Sequence, residues 1–298
     1  MAYDLNEIVW AAQLACIFEV CAKKPGNVHT DRAFHDSNPF DFFAGAVAMG
    51  TAFQRLNDFS VGELVLNGIR SRSALTSTNV NLGILLLLAP LSKAALKCEA
   101  DGSFDAIRSS AADVLDGLTK QDTEFVYEAI RLSGAGGMGK VERYDVSEAH
   151  AGITLKEAMA EAANRDSIAE EYVTDFSVTF ETSLPAVMEA QKGGLPLRDA
   201  IVQAFLTILS KVPDTLIARK LGIKEAAKVS SKAAEVLKAG GLYCAAGKAA
   251  VRKFDLYLRR LGNKRNPGTT ADLTVSGLFL YLLDCIHKGT LPLVIRRW

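Results

Sequence analysis

Two aspartates stand where helices begin, and both lie beside cations. Asp214 follows Pro213 in KVPDTLIARKLG, with Thr215 and Arg219 four residues apart on one helical face. Asp272 lies in GNKRNPGTTADLTVSGLFLYLL, where Thr269 and Asp272 have the spacing of a capping box. Helix capping explains either carboxylate taken singly. A third stretch, CAKKPGNVHTDRAFHD, follows a helix carrying Glu19 and crowds Lys24, Gly26, Asn27, His29 and Asp36 around a Pro-Gly turn. Two of the four histidines, His29 and His35, fall within seven residues there. In a fourth, SALTSTNVNLGILLLL, Asn79 can cap the helix. Asn81 lies next to a segment apolar on all sides and needs a buried partner or a ligand. Helix N-termini carry free N–H groups and partial positive charge, and so bind phosphates. Several of them with lysines, arginines and two carboxylates make a magnesium–polyphosphate site, in which the metal takes one or two carboxylates, phosphate oxygens and water.

The stretch GAGGMGKV, residues 134–141, imitates both the dinucleotide fingerprint and the phosphate loop. Both motifs need a strand before the glycines and a helix after. Here TEFVYEAIRLS has helical spacing, the residues after Lys140 are polar, and Val141 lacks the hydroxyl that would bind magnesium. Two readings stay open: a helix C-cap with surplus glycine, or a mobile flap whose backbone and Lys140 close over an anion.

The elements that must position these residues are helices. Apolar residues recur at three- and four-residue steps from Ile8 to Phe18 and after Asn38-Pro39, which predicts a cap and first helical position. The same spacing predicts helices over 61–75, 80–96, 104–118, 123–132, 154–176, 197–209, 215–220, 224–237, 245–261 and 270–286, with Asp122 or Thr123 capping the fourth of these. Alternating β-branched runs are nearly absent. The expectation is a single all-α domain over residues 1–298, with a glycine-rich central loop between Ser133 and Gly152.

Bulk properties narrow the function classes. Lysine plus arginine equals aspartate plus glutamate at 34 each, so no net charge draws the chain to nucleic acid or membrane. Hydrophobic residues make up 49%, ample for a core. The five cysteines show no C-x-x-C spacing, which fits a reducing compartment. The N-terminal residues lack a basic n-region, and the apolar run 82–91 is too short to span a bilayer. The expectation is a cytoplasmic protein acting on small molecules, with homo-oligomerisation left open.

In their order the motifs carry a resemblance. Glu19 with Lys24-Pro25-Gly26, Asp36 with Asp41-Phe42, Asn79 to Gly83, Asp214-Thr215, and Pro267-Gly268 with Ala271-Asp272-Leu273 together resemble the triphosphoribosyl-dephospho-CoA synthase family. That resemblance implies an all-α enzyme that takes ATP with Mg2+, displaces adenine, and joins the triphosphoribosyl unit to a ribose hydroxyl of 3′-dephospho-CoA. It implies Asp214 and Asp272 as metal ligands, either able to act as base, with Asp36 as a third catalytic candidate. Lys24, Arg219 and Arg265 would meet phosphates, helped by Gly26, Asn27, Thr215, Asn266, Gly268, Thr269 and Lys140. Glu19, His29, Asn79 and Asn81 complete the expected binding set. Asn81-Leu82 stands where citrate-lyase-type members carry His-Lys, and Arg219-Lys220-Leu221 stands where they carry His-Arg and glycines. Both departures resemble the branch found in organisms with tetrahydromethanopterin-dependent C1 metabolism. Three functions therefore stay open: the family transfer, a related phosphoribosyl transfer in C1-cofactor synthesis, and a helical nucleotide-binding protein without catalysis.

Overall fold

The computed structural model describes residues 3–98, 102–134 and 152–298. Among them the regular structure is helical, apart from one isolated bridge between His29 and Arg32. The chain divides into two compact units: Met1–Cys16 with Phe40–Ser177, and Ile17–Pro39 with Val178–Trp298.

The first unit holds most of α1 (Leu5–Cys21) and α2 (Pro39–Phe53), with α3 (Val61–Leu75), α4 (Leu82–Lys97), α5 (Phe104–Asp116), α6 (Lys120–Ser133), α7 (Leu155–Ala162) and α8 (Ser167–Val173). Its centre is α4, whose residues from Ile84 to Leu91 are all buried. A helix apolar on every side has to lie inside. Pro90 sits within this helix and has no N–H for the Leu86 carbonyl. The Tyr172 hydroxyl from α8 donates to that carbonyl at 2.6 Å. The polar group orphaned by proline is thus satisfied from another helix.

Helix starts follow their caps. Ser60 and Glu63 form a capping box on α3. On α6 the cap is Thr119, with Asp122 as its reciprocal partner, one turn before the start at 123 that the sequence predicts. Asp122 also accepts from the Gly62 N–H at 2.8 Å, so one carboxylate ties the starts of α3 and α6. A Cβ on Gly62 would stand 2.6 Å from the Asp122 Cα, which requires glycine there. The helix expected over 154–176 is two, because Asp166 caps a new start at Ser167. Gly134 ends α6 in the left-handed conformation, as a C-cap does. The rest of GAGGMGKV, including Lys140, lies outside the described residues.

The second unit contains the end of α1, a π-helical turn (Thr179–Ser183), α9 (Leu184–Lys192), α10 (Leu197–Lys211), α11 (Thr215–Leu221), α12 (Ile223–Lys238), α13 (Ala245–Arg259), α14 (Gly268–His287) and α15 (Leu291–Ile295). The core element is α14. By length and composition it could cross a membrane, but most of it is buried inside the protein. Its hydroxyls are satisfied there: Thr274 Oγ1 donates to the Thr270 carbonyl at 2.7 Å, and Ser276 Oγ to the Leu273 carbonyl at 2.9 Å. The sequence spacing predicts neither the 179–192 helices nor α15.

Candidate active site

Most of the expected site residues lie in the second unit, around the starts of α11 and α14. Asp214 is buried and caps α11, its Oδ1 accepting from the Ile217 N–H at 2.9 Å. Its Oδ2 accepts from the Thr270 N–H at 2.7 Å and the Thr270 hydroxyl at 2.8 Å. Both helix starts therefore hang on one carboxylate. Burial pushes the Asp214 carboxyl above its ordinary range. The Thr270 and Ile217 N–H groups, the Thr270 hydroxyl and the Arg219 charge pull the other way.

The expected capping box of Thr269 and Asp272 does not form. Helix α14 begins at Gly268, which places Thr269 inside its first turn, and Pro267 at the cap has no side-chain bond to offer. Asp214, 56 residues away, supplies the missing acceptor instead. Thr269 is freed to meet Thr215, whose Oγ1 donates to Thr269 Oγ1 at 3.2 Å. Two threonine hydroxyls thus stand together at adjoining helix starts. Gly268 permits this closeness, since a Cβ there would come within 2.6 Å of Leu216 Cδ2.

The turn at Lys24-Pro25-Gly26-Asn27 packs beside the same place. The Asn27 amide donates to the Pro267 carbonyl at 3.5 Å. Gly26 has φ +77, and a Cβ on it would meet Leu258 Cδ1 at 2.7 Å and Pro267 Cδ at 3.2 Å. Its N–H donates to Asp255 Oδ1 at 2.8 Å, and Arg259 clamps the Asn27 carbonyl at 2.6 Å. Asp255 and Arg259 are joined at 2.7 Å on α13. The two Pro-Gly turns, 240 residues apart in sequence, converge in space.

The three expected cations lie in different environments. Lys24 is buried and paired with Glu19 Oε1 at 2.9 Å, and it also donates to the carbonyls of Glu19 and Ala22. An ammonium has three protons, and each has a protein acceptor here. Burial pushes the Glu19 carboxyl up, with Lys24 opposing. Arg265 donates from Nε to Glu225 Oε1 at 2.6 Å and stacks over Tyr257 at 4.2 Å. Arg219 is exposed in the last turn of α11, and its charge acts on Asp214.

The remaining expected residues are scattered in environment. Asn266 has a buried Oδ1 without a hydrogen-bond partner among the described residues. Asp272 is half-buried, and Asp36 is exposed, its Oδ2 3.8 Å from His35 Nε2. Asp36 and Asp214 both act on Lys220, whose pKa burial lowers. His29 is buried and its pKa is lowered to about 4, first by desolvation and then by Arg259 and Lys24. Its Nδ1 accepts from the Asp31 N–H at 3.2 Å, so the neutral ring carries its proton on Nε2.

Asn79 and Asn81 belong to the first unit. Asn79 is exposed and does not cap α4; Asn81 occupies the cap position, with φ 65 and no side-chain cap bond. Among the described residues, no three of His, Cys, Asp and Glu gather as a metal site. Asp214 has three donors on its two oxygens. Sequence reasoning missed Thr270, Asp255, Arg259 and Glu225. Of these only Asp255 and Arg259 carry a local signal, an i, i+4 pair that also describes an ordinary helix surface.

The fold and this cluster define the class: an all-α protein whose candidate site is built on helix starts and two Pro-Gly turns, with no strand–glycine–helix unit among the described residues. A family model described as ATP:dephospho-CoA triphosphoribosyl transferase matches residues 5–290. The chain belongs to that family. A 2-(5''-triphosphoribosyl)-3'-dephosphocoenzyme-A synthase from Klebsiella pneumoniae is 30% identical over 111 residues, 37% of this chain and 39% of the relative. A Pseudomonas aeruginosa (strain UCBPP-PA14) protein, named as probable for the same activity, is 31% identical over 120 residues, 40% of each chain. The chain therefore spans about two fifths of the length of these curated relatives. A solved Archaeoglobus fulgidus structure assigned to triphosphoribosyl-dephospho-CoA synthase aligns with a TM-score of 0.62 and 28% identity, over 81% of this chain and 98% of that one.

Proposed function

We propose that the chain transfers the triphosphoribosyl group of ATP to an acceptor hydroxyl such as that of 3′-dephospho-CoA, releasing adenine. The observation that carries this reading is the joining of the α11 and α14 starts through Asp214, within a chain that belongs to the transferase family. In the reaction the bond from the ribose C1 to adenine breaks, and adenine leaves with the electron pair and takes up a proton. The acceptor oxygen bonds to C1 and gives up its proton to a base. The sugar carbon becomes cationic on the way, so the demands on the protein are anchoring, charge stabilisation and proton removal.

In this reading the polyphosphate binds at the first turn of α14 with the Thr215 and Thr269 hydroxyls and Arg219, a reading supported by the adjoining helix starts. Magnesium, when bound, would neutralise phosphate charge. Asp214 and Asp272 are the carboxylates that would hold it, and the oxygens of Asp214 also accept three hydrogen bonds from the protein. Asp214 also acts as a positioning residue. Asp272 or Asp36 takes the acceptor proton. Lys24 and Glu19 support the site from beneath by holding the Pro25-Gly26 turn against Pro267.

The test is incubation of the purified protein with ATP, magnesium and 3′-dephospho-CoA, with chromatography for free adenine. Adenine release matching product formation is expected. Asp272→Asn should slow it about 100-fold with the unfolding midpoint unchanged. ATP binding without adenine release would show a non-catalytic nucleotide binder. Release only with a pterin-ribitol acceptor would move the assignment to C1-cofactor synthesis.

A further inference from the structure

Arg72, in the last turn of α3, is 2% exposed and belongs to the first unit. Its Nη1 donates to the Thr78 carbonyl at 2.5 Å. Its Nε and Nη2 are buried and meet no hydrogen-bond partner among the described residues. These two nitrogens share one edge of the guanidinium plane, the fork that grips two oxygens of a carboxylate or phosphate. Burial lowers the Arg72 pKa. Leaving two donors of a buried cation without acceptors costs free energy.

The segment that Arg72 holds carries a second unpartnered group. Asn81 is 7% exposed, and both its Oδ1 and Nδ2 are buried without a partner among the described residues. Its backbone is left-handed, at φ 65, a conformation that costs energy for any residue with a side chain. Gly45 of α2 makes room for it, since a Cβ there would lie 2.9 Å from the Asn81 Cγ. One turn earlier on α2, Asp41 accepts from Thr76 Oγ1 at 2.6 Å. The segment is thus fixed through Thr76 and Thr78, while Arg72 Nε and Nη2 and the Asn81 amide meet no partner among the described residues.

We propose that Arg72 and the segment 76–81 form an oxyanion subsite in the first unit, with the Arg72 fork binding a phosphoryl or carboxylate group and the Asn81 amide adding one donor and one acceptor. The subsite is independent of the reading of α11 and α14, and a failure of one leaves the other standing. It also gives a reason for the two strained or desolvated side chains to persist together.

Arginine Nε–Hε NMR of the full chain tests it. The signal missing in Arg72→Lys is that of Arg72, a local reporter in the first unit. Titration with inorganic pyrophosphate and, separately, with succinate is expected to shift this signal saturably in one arm. The arm that responds identifies a phosphoryl or a carboxylate ligand. Asn81→Gly, which suits the positive φ while removing the amide, should weaken that binding about tenfold. An Arg72 signal unmoved by either anion would overturn the subsite, and so would unchanged affinity in Asn81→Gly.

Discussion

Asp214 takes both the N–H and the hydroxyl of Thr270 on one carboxylate oxygen, at 2.7 and 2.8 Å, while its other oxygen caps its own helix. Asparagine keeps an oxygen for the Ile217 N–H but turns an amide donor towards the Thr270 N–H. Asp214→Asn should therefore destabilise the protein by about 2–4 kcal/mol in urea unfolding. Adenine release should fall with it, because the two helix starts lose their common anchor. Full stability with lost turnover would instead place Asp214 in the chemistry itself.

Lys24 and Glu19 form a buried pair, and their removal should be strongly non-additive. Lys24→Met alone leaves a buried carboxylate uncompensated, at a cost of about 3–5 kcal/mol. Adding Glu19→Leu should recover most of that loss. A double-mutant cycle in urea checks the coupling, and additive losses would count against the pair as the main role of Lys24.

His29 gives acid sensitivity with a definite sign. Its pKa falls from 6.5 to about 4 on folding, so the unfolded chain binds the proton first. Its contribution is complete above pH 6.5 and is lost as pH falls towards 4. Protonation also removes the acceptor that the Asp31 N–H uses. Between pH 7 and 5 the parent should lose roughly 1–2 kcal/mol more than His29→Gln. The difference between the two unfolding curves isolates this residue from the carboxylates.

Gly26→Ala should cost roughly 2–4 kcal/mol, from the left-handed backbone together with the Leu258 contact. Because the turn leans on Pro267, its displacement should raise the KM for ATP in the fraction that stays folded. Calorimetry and adenine-release kinetics measure the two effects separately.

Much of the helical framework is legible in the sequence, because its signals are local. Spacing alone predicts α3 at its observed ends, Val61 and Leu75. It misses the 179–192 segment, where Thr179, Thr182 and Ser183 interrupt the apolar spacing and the backbone takes a π-helical turn. The candidate site is less legible. Asp214 is found by its place after Pro213, but its bond to Thr270 spans 56 residues and escapes any local rule. For the same reason Thr269 and Asp272 match a capping box that the fold does not use. Lys24 beside a Pro-Gly turn suggests a phosphate ligand, and nothing in the spacing shows that Glu19 occupies it. Arg72 looks like any polar residue near a helix end until its burial is known.

The Tyr172 hydroxyl and Pro90 share one backbone carbonyl, that of Leu86. Neither residue can be judged without the other, which makes them an epistatic pair. With Pro90 present, Tyr172→Phe strands a buried acceptor. With Pro90→Ala, the new N–H can take that acceptor over, and the same tyrosine change becomes nearly silent. Sequences descended from this chain can therefore lose the tyrosine cheaply only after the proline has gone, an order of substitutions set by a single missing N–H.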